Sequence, residues 1–206
     1  MDGYRCNCEK PLIHWHICDN LIIVSYLEDS YSALKRWEGS IPYMYLDTVG
    51  LVTVGIGFML ASSYAAATIP FTHPDGSVAT QLEISDDYSR VKALPRGKLP
   101  DFYHSLSSLL LPDAEIYGML ATKVDTFEQG LLRIYPHYDT YPDAAKIALI
   151  DMAYNLGIAK LSSTYPRFNS AVRSHDWQLA ASQCHRNGPS EERNLWTKNQ
   201  FLGASA

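Results

Sequence analysis

The sequence predicts an α+β fold, a small β-hairpin unit set against a mainly helical C-terminal half. Three observations carry this. Residues 51–58, LVTVGIGF, alternate with the period of a strand and follow the turn residues DTVG. From Pro112 onward, apolar residues recur at helical steps between proline or acidic starts and glycine stops. A chain of 206 residues that is 47% hydrophobic is also large enough to bury a core of this kind.

The elements follow in order. Residues 1–20 have neither period and read as an irregular arm. Over residues 21–37, Val24, Leu27, Tyr31 and Leu34 recur at three- and four-residue steps and Gly39 ends the run, which predicts an amphipathic helix. YMYLD and LVTVGIGF then flank DTVG as a hairpin. Val52, Val54, Ile56 and Phe58 fall on one face, and Thr53, Gly55 and Gly57 on a bare one. Between residues 61 and 110, HPDGS is a turn, VATQLEI is read as a further strand and LPRGKLP as a loop. PDAEIYGMLATKVDTFEQGLLRIY is a helix long enough to connect two lobes, and PDAAKIALIDMAYNLG repeats its design, ending at Gly157. Residues 167–175 and 176–186 form two short helices, with Asp176 as an N-cap, and a last helix runs from Ser190 to a stop at Gly203.

Charge narrows the function classes. The chain carries 17 Lys and Arg against 22 Asp and Glu, a net charge of -5, and shows no basic stripe, which argues against nucleic acid. The same balance offers no overall attraction to an anionic polymer. The apolar run LIIVSYL, residues 21–27, is too short to span a bilayer, so no membrane partner is expected. No small-residue cleavage site follows it, so no signal peptide is expected. Four cysteines are too few for a disulfide scaffold. Cys6, Cys8, His14, His16 and Cys18 crowd five metal-type donors into the arm, but C-x-C with H-x-H-x-C is not a standard zinc spacing. No metal or cofactor is therefore assigned. These five residues stay candidates on donor density alone.

The residues with the most to say are Glu38, Asp47 and Thr53. Glu38 falls in the last turn of its helix, where the macrodipole disfavours a negative charge and favours the proton-donating form that a general acid requires. On an alternating strand Tyr43, Tyr45 and Asp47 share a face, and the hairpin brings Asp47 beside Thr53, with both facing Glu38. Two carboxylates separated by room for a water match inverting glycoside hydrolysis, and Gly55 and Gly57 leave space for a bulky polymer. Acids at helix ends and turns are also common as solvated charges, and aspartate opens turns through its own local hydrogen bonds.

The pattern E-G-x7-D-x2-G-x2-T-x-G-x-G, met by Glu38, Gly39, Asp47, Gly50, Thr53, Gly55 and Gly57, resembles the bacteriophage-type lysozymes and endolysins of glycoside hydrolase family 24. AKIALIDMAYNLG is similar to that family's core helix, and HDWQLAA and SEERNLWTKNQFLG to its closing helices, with Arg193 in the place of a family arginine. The likeness covers residues 26–60 and 112–203 and is poor over 61–110. It departs at Phe58, where the family often has histidine, and in the acidic charge.

The resemblance implies a lysozyme-like domain over residues 21–203. A small lobe would take 39–110 and a helical lobe 112–203 plus the first helix, with a cleft between them. It implies a muramidase cutting the β-1,4 bond between N-acetylmuramic acid and N-acetylglucosamine in peptidoglycan. Glu38 would be the acid, Asp47 and Thr53 would hold and activate water, and Met59, Tyr154 and Gln183 would contact sugar. Without a signal peptide, two routes would bring such an enzyme to the periplasm or cell wall. One is release through a holin as an endolysin. The other is injection by secretion machinery as an antibacterial effector, with an immunity protein as partner. The alternatives are a lysozyme-like module that holds glycan without cutting it, and a glycosidase directed at chitin or chitosan.

Overall fold

The computed structural model describes residues 25–205. The arm with Cys6, Cys8, His14, His16 and Cys18, and the first four residues of the predicted opening helix, lie outside the described residues. The described chain is mixed, with a small antiparallel sheet and a majority of helix.

Helix α1 (Ser25–Glu38) ends where Gly39 turns left-handed at φ 76°, and Gly39 N donates to Lys35 O (3.1 Å). Strands β1 (Ile41–Leu46), β2 (Val52–Gly55) and β3 (Phe58–Met59) form the sheet in the order β1-β2-β3. Between the pairs Ile41↔Gly55 and Tyr45↔Thr53, three residues of β1 stand against one of β2, a bulge that breaks the expected alternation. Tyr43 and Met44 are consequently both buried, and Tyr43 leaves the Tyr45 face to stack on His104, with ring centres 4.5 Å apart. The bare face expected for the hairpin is also corrected, since all four residues of β2 are buried. A Cβ on Gly55 would lie 3.0 Å from the Phe58 ring and 3.3 Å from Ile116, so this glycine admits packing from the long helix and leaves no room for polymer. Only Gly57 faces open space.

The segment 61–110 is more helical than its sequence suggests. After α2 (Ser63–Ala66), the turn at HPDGS closes as expected, with Gly76 N donating to His73 O (2.9 Å). The expected strand VATQLEI is instead the entry to α3 (Gln81–Lys92). Thr80 and Glu83 form a capping box: Glu83 Oε2 accepts from Thr80 N (2.7 Å) while Thr80 Oγ1 accepts from Glu83 N (3.3 Å). Ile84, Asp87 and Val91 then face inward at helical spacing. Buried Asp87 accepts from Ser107 Oγ (2.8 Å) and Ser108 N (3.0 Å), which fixes the stretch after α4 (Pro100–His104). Leu111 N donates to Pro42 O (2.6 Å) and returns the chain to β1.

The long helix α5 (Asp113–Ile134) touches the hairpin through Ile116 and, near its other end, takes Ile158 against Gly130. Beyond it α6 (Asp143–Leu156) is the most buried helix and packs on α1, α5, α7 (Ile158–Thr164) and α10 (Glu191–Gly203). Between these lie α8 (Pro166–Arg173) and α9 (Trp177–Gln183), the latter capped by Asp176, which accepts from Leu179 N (2.9 Å). Among the described residues no helix is long and apolar enough to cross a membrane.

Candidate active site

Asp47 is first a turn residue. Its Oδ1 accepts from Val49 N (3.0 Å) and Leu51 N (2.8 Å), and its own N–H donates to Leu51 O (2.9 Å). Those bonds lock one carboxylate oxygen; Oδ2 accepts no hydrogen bond among the described residues. Because Tyr45 sits directly across from Thr53, Asp47 lies diagonally from Thr53 on the same strand-pair face, a spacing of about 7–8 Å between opposite-strand neighbours of this kind. Thr53 is buried, and its hydroxyl donates to Leu51 O (3.1 Å), so it presents only acceptor lone pairs to anything else. Met59 pairs with Thr53 from the other side and is exposed.

Glu38 is the last residue of α1, and it does not stand alone. Arg193 Nη1 donates to Glu38 Oε1 at 2.7 Å, leaving Oε2 without a hydrogen bond among the described residues. Sequence position suggested a helix-end carboxyl; the structure adds the guanidinium that fixes its direction. Arg193 is held in turn by buried Asp151, whose Oδ1 accepts from Arg193 Nε (2.9 Å). Arg193 Nη2 lies 2.7 Å from the same oxygen but is not aligned to donate to it. Asp151 Oδ2 accepts from Arg186 Nη2 (2.7 Å) and Thr197 Oγ1 (2.9 Å). Two arginines and two carboxylates therefore make a chain of balanced charge from the core to Glu38. Burial opposes the charge on Arg193, but Asp151 and then Glu38 outweigh it and raise its pKa.

No protein-family model and no curated protein sequence matches this chain. What the site can do is therefore read from its own groups. Tyr45 feels the charge of both carboxylates. Its phenol is pushed up by burial, then by the negative charges of Asp47 and Glu38, so both acids lie within electrostatic reach of one hydroxyl. Tyr154 is pushed up by burial and next by Glu38, and its hydroxyl donates to Ile56 O (2.5 Å). By geometry, Arg193 contacts Glu38, Tyr45 pairs with Thr53, and Thr53 pairs with Met59. Gln183 does not join them. It lines a separate hollow beside Tyr165, Pro166 and Phe168 at the far end of α9.

The sequence reading placed Tyr45 on the right face without assigning it to the site, and it missed Asp151, Arg186 and Thr197. A signal existed for Asp151, the one acid within the apolar run KIALIDMAYNLG, because a charge on a fully packed helix needs a partner. Among the described residues no group of three or more His, Cys, Asp or Glu is placed to hold a metal ion.

Proposed function

We propose that this protein is a peptidoglycan muramidase that hydrolyses the β-1,4 bond between N-acetylmuramic acid and N-acetylglucosamine. The observation that carries the reading is the division of labour between two half-occupied carboxylates. Among the described residues Glu38 is anchored through Oε1 with Oε2 unbonded, Asp47 is anchored through Oδ1 with Oδ2 unbonded, and the charges of both act on Tyr45.

In the reaction, protonated Glu38 gives its proton from Oε2 to the glycosidic oxygen as the bond from that oxygen to the anomeric carbon breaks. A water held by Asp47 Oδ2 and the Thr53 hydroxyl attacks the anomeric carbon from the opposite face. The two groups accept its two protons as hydrogen bonds, and Asp47 takes one fully. Arg193 stabilises the negative charge that Glu38 acquires, and solvent returns a proton to Glu38 and removes one from Asp47. Met59 and Tyr154 border the sugar path. An enzyme of this kind is delivered to the wall by a holin or by secretion machinery, and in the second case an immunity protein blocks the site.

The test is release of soluble fragments from purified peptidoglycan. The wild type releases them, and Glu38→Gln, confirmed as folded by circular dichroism, loses about 10²–10⁴ of the rate. Equal release by both proteins refutes the assignment of Glu38. Binding without release by the wild type selects the glycan-holding module, and activity on chitin alone selects the chitin-directed enzyme.

A further inference from the structure

The segment after α3 raises a separate question, because it concentrates positive charge in a chain of net charge -5. Arg90, Lys92, Arg96 and Lys98 fall within nine residues, in a region where the likeness to phage-type lysozymes is poor. Their fates differ. Arg90 is consumed by an ion pair with buried Asp87 (3.2 Å) and a bond to Leu106 O (3.1 Å). Lys92 and Arg96 are exposed and, among the described residues, have no carboxylate at ion-pair distance. Both lie on the tip of the Asp47 hairpin. Lys92 Nζ donates to Gly50 O (2.7 Å), and the Arg96 side chain passes over Gly50, with its Cδ 3.5 Å from where a Cβ would stand. Gly50 N in turn donates to the backbone O of Asp47 (3.1 Å), so both cations lie against the turn that Asp47 opens.

We propose that Lys92 and Arg96 form a cationic rim that binds anionic groups pendant on the glycan, and that this rim sets substrate choice at the hairpin end of the site. The inference rests on the muramidase reading above. An ammonium and a guanidinium on this turn attract substrate carboxylates or phosphates that the acidic molecule as a whole repels. Their hold on the turn matters too: Lys92 spends one of its three donors on Gly50 O and keeps two for a ligand. In wall glycan the anionic groups come from the stem peptides on muramic acid or from phosphate polymers attached to the strands.

The experiment compares wild type, Lys92→Gln/Arg96→Gln and the charge-preserving Lys92→Arg/Arg96→Lys. The substrates are isolated sacculi, sacculi freed of phosphate polymers, and those sacculi with their stem-peptide carboxylates capped as neutral amides by carbodiimide coupling. Fragment release is read together with cosedimentation at low and high salt. The neutral variant should lose about tenfold in kcat/KM on anionic sacculi, carried by KM, with kcat retained and the difference erased by salt. The charge-preserving variant should behave as wild type, and on strands without pendant anions all three proteins should match. The preparation at which the difference vanishes identifies stem carboxylate or polymer phosphate as the ligand. A neutral variant that binds and cuts anionic sacculi like wild type overturns the rim while leaving the muramidase reading intact, as does an equal loss on every substrate or in the charge-preserving variant. A wild type that cuts nothing yet sediments with anionic sacculi through Lys92 and Arg96 overturns the muramidase reading while the anion site stands. Neither cutting nor charge-dependent binding overturns both.

Discussion

Asp151→Asn tests the charge chain behind Glu38. The substitution keeps the shape and one acceptor but removes the only anion that Arg186 pairs with among the described residues. Asp151 and Arg186 are each no more than 1% exposed, so water does not replace the lost partner. With charge centres about 4 Å apart and an effective dielectric of about 20, each arginine loses roughly 4 kcal/mol of attraction. Part of that sum is recovered because a neutral amide escapes the cost of burying a carboxylate, and broken buried pairs of this kind cost about 3–5 kcal/mol net. For a domain of this size that corresponds to a fall in melting temperature of about 6–20 °C. Urea denaturation of Asp151→Asn, beside exposed Asp125→Asn as a control, measures it. Adding Arg186→Met should restore part of the loss, since the orphaned cation goes with it. A loss under about 1 kcal/mol for Asp151→Asn, or strict additivity with Arg186→Met, would refute the reasoning.

Three further outcomes follow from the same structure. Gly55→Ala should cost about 1–3 kcal/mol in chemical denaturation, because residue 55 has φ 64° and the new methyl meets the Phe58 ring at 3.0 Å; Gly57→Ala, with open space around it, should cost less. Tyr154→Phe removes the bond to Ile56 O that ties α6 to the hairpin turn and should cost about 1 kcal/mol, with faster amide exchange over residues 55–58 as the local readout. Stability should fall as pH rises above the ordinary phenol value of 10.0. Burial, aided at Tyr138 by Glu128, raises the folded-state pKa of Tyr135 and Tyr138, so the fold keeps protons that the unfolded chain releases. Denaturation midpoints at about pH 8 and about pH 11 check this, and a flat profile contradicts it.

The helical half was legible because its stops are chemical. Pro142 opens α6, Asp176 and Ser190 cap α9 and α10, and Gly157 closes α6 with a positive φ. The segment 78–84 was misread for a physical reason. Val78, Thr80, Leu82 and Ile84 alternate as in a strand, yet Val78 and Leu82 are 74% and 71% exposed. The Thr80–Glu83 capping box decided the outcome. The hairpin was visible as a hairpin, but its bulge and the packing of Ile116 against Gly55 are tertiary facts that no local pattern encodes. In the same way Glu38 and Asp47 stood out as acids at ends and turns. The oxygen each leaves free depends on Arg193, 155 residues from Glu38, and on backbone amides of the folded turn.

The most direct test of the central claim is the chemistry of the new ends. Peptidoglycan cut by the wild type, examined by proton NMR before mutarotation and then by mass analysis of the reducing ends, should give N-acetylmuramic acid ends that first appear as the α-anomer. That result requires a water delivered opposite the leaving group, the role proposed for Asp47 and Thr53. First-formed β-anomer, anhydromuramic ends or N-acetylglucosamine ends would contradict it.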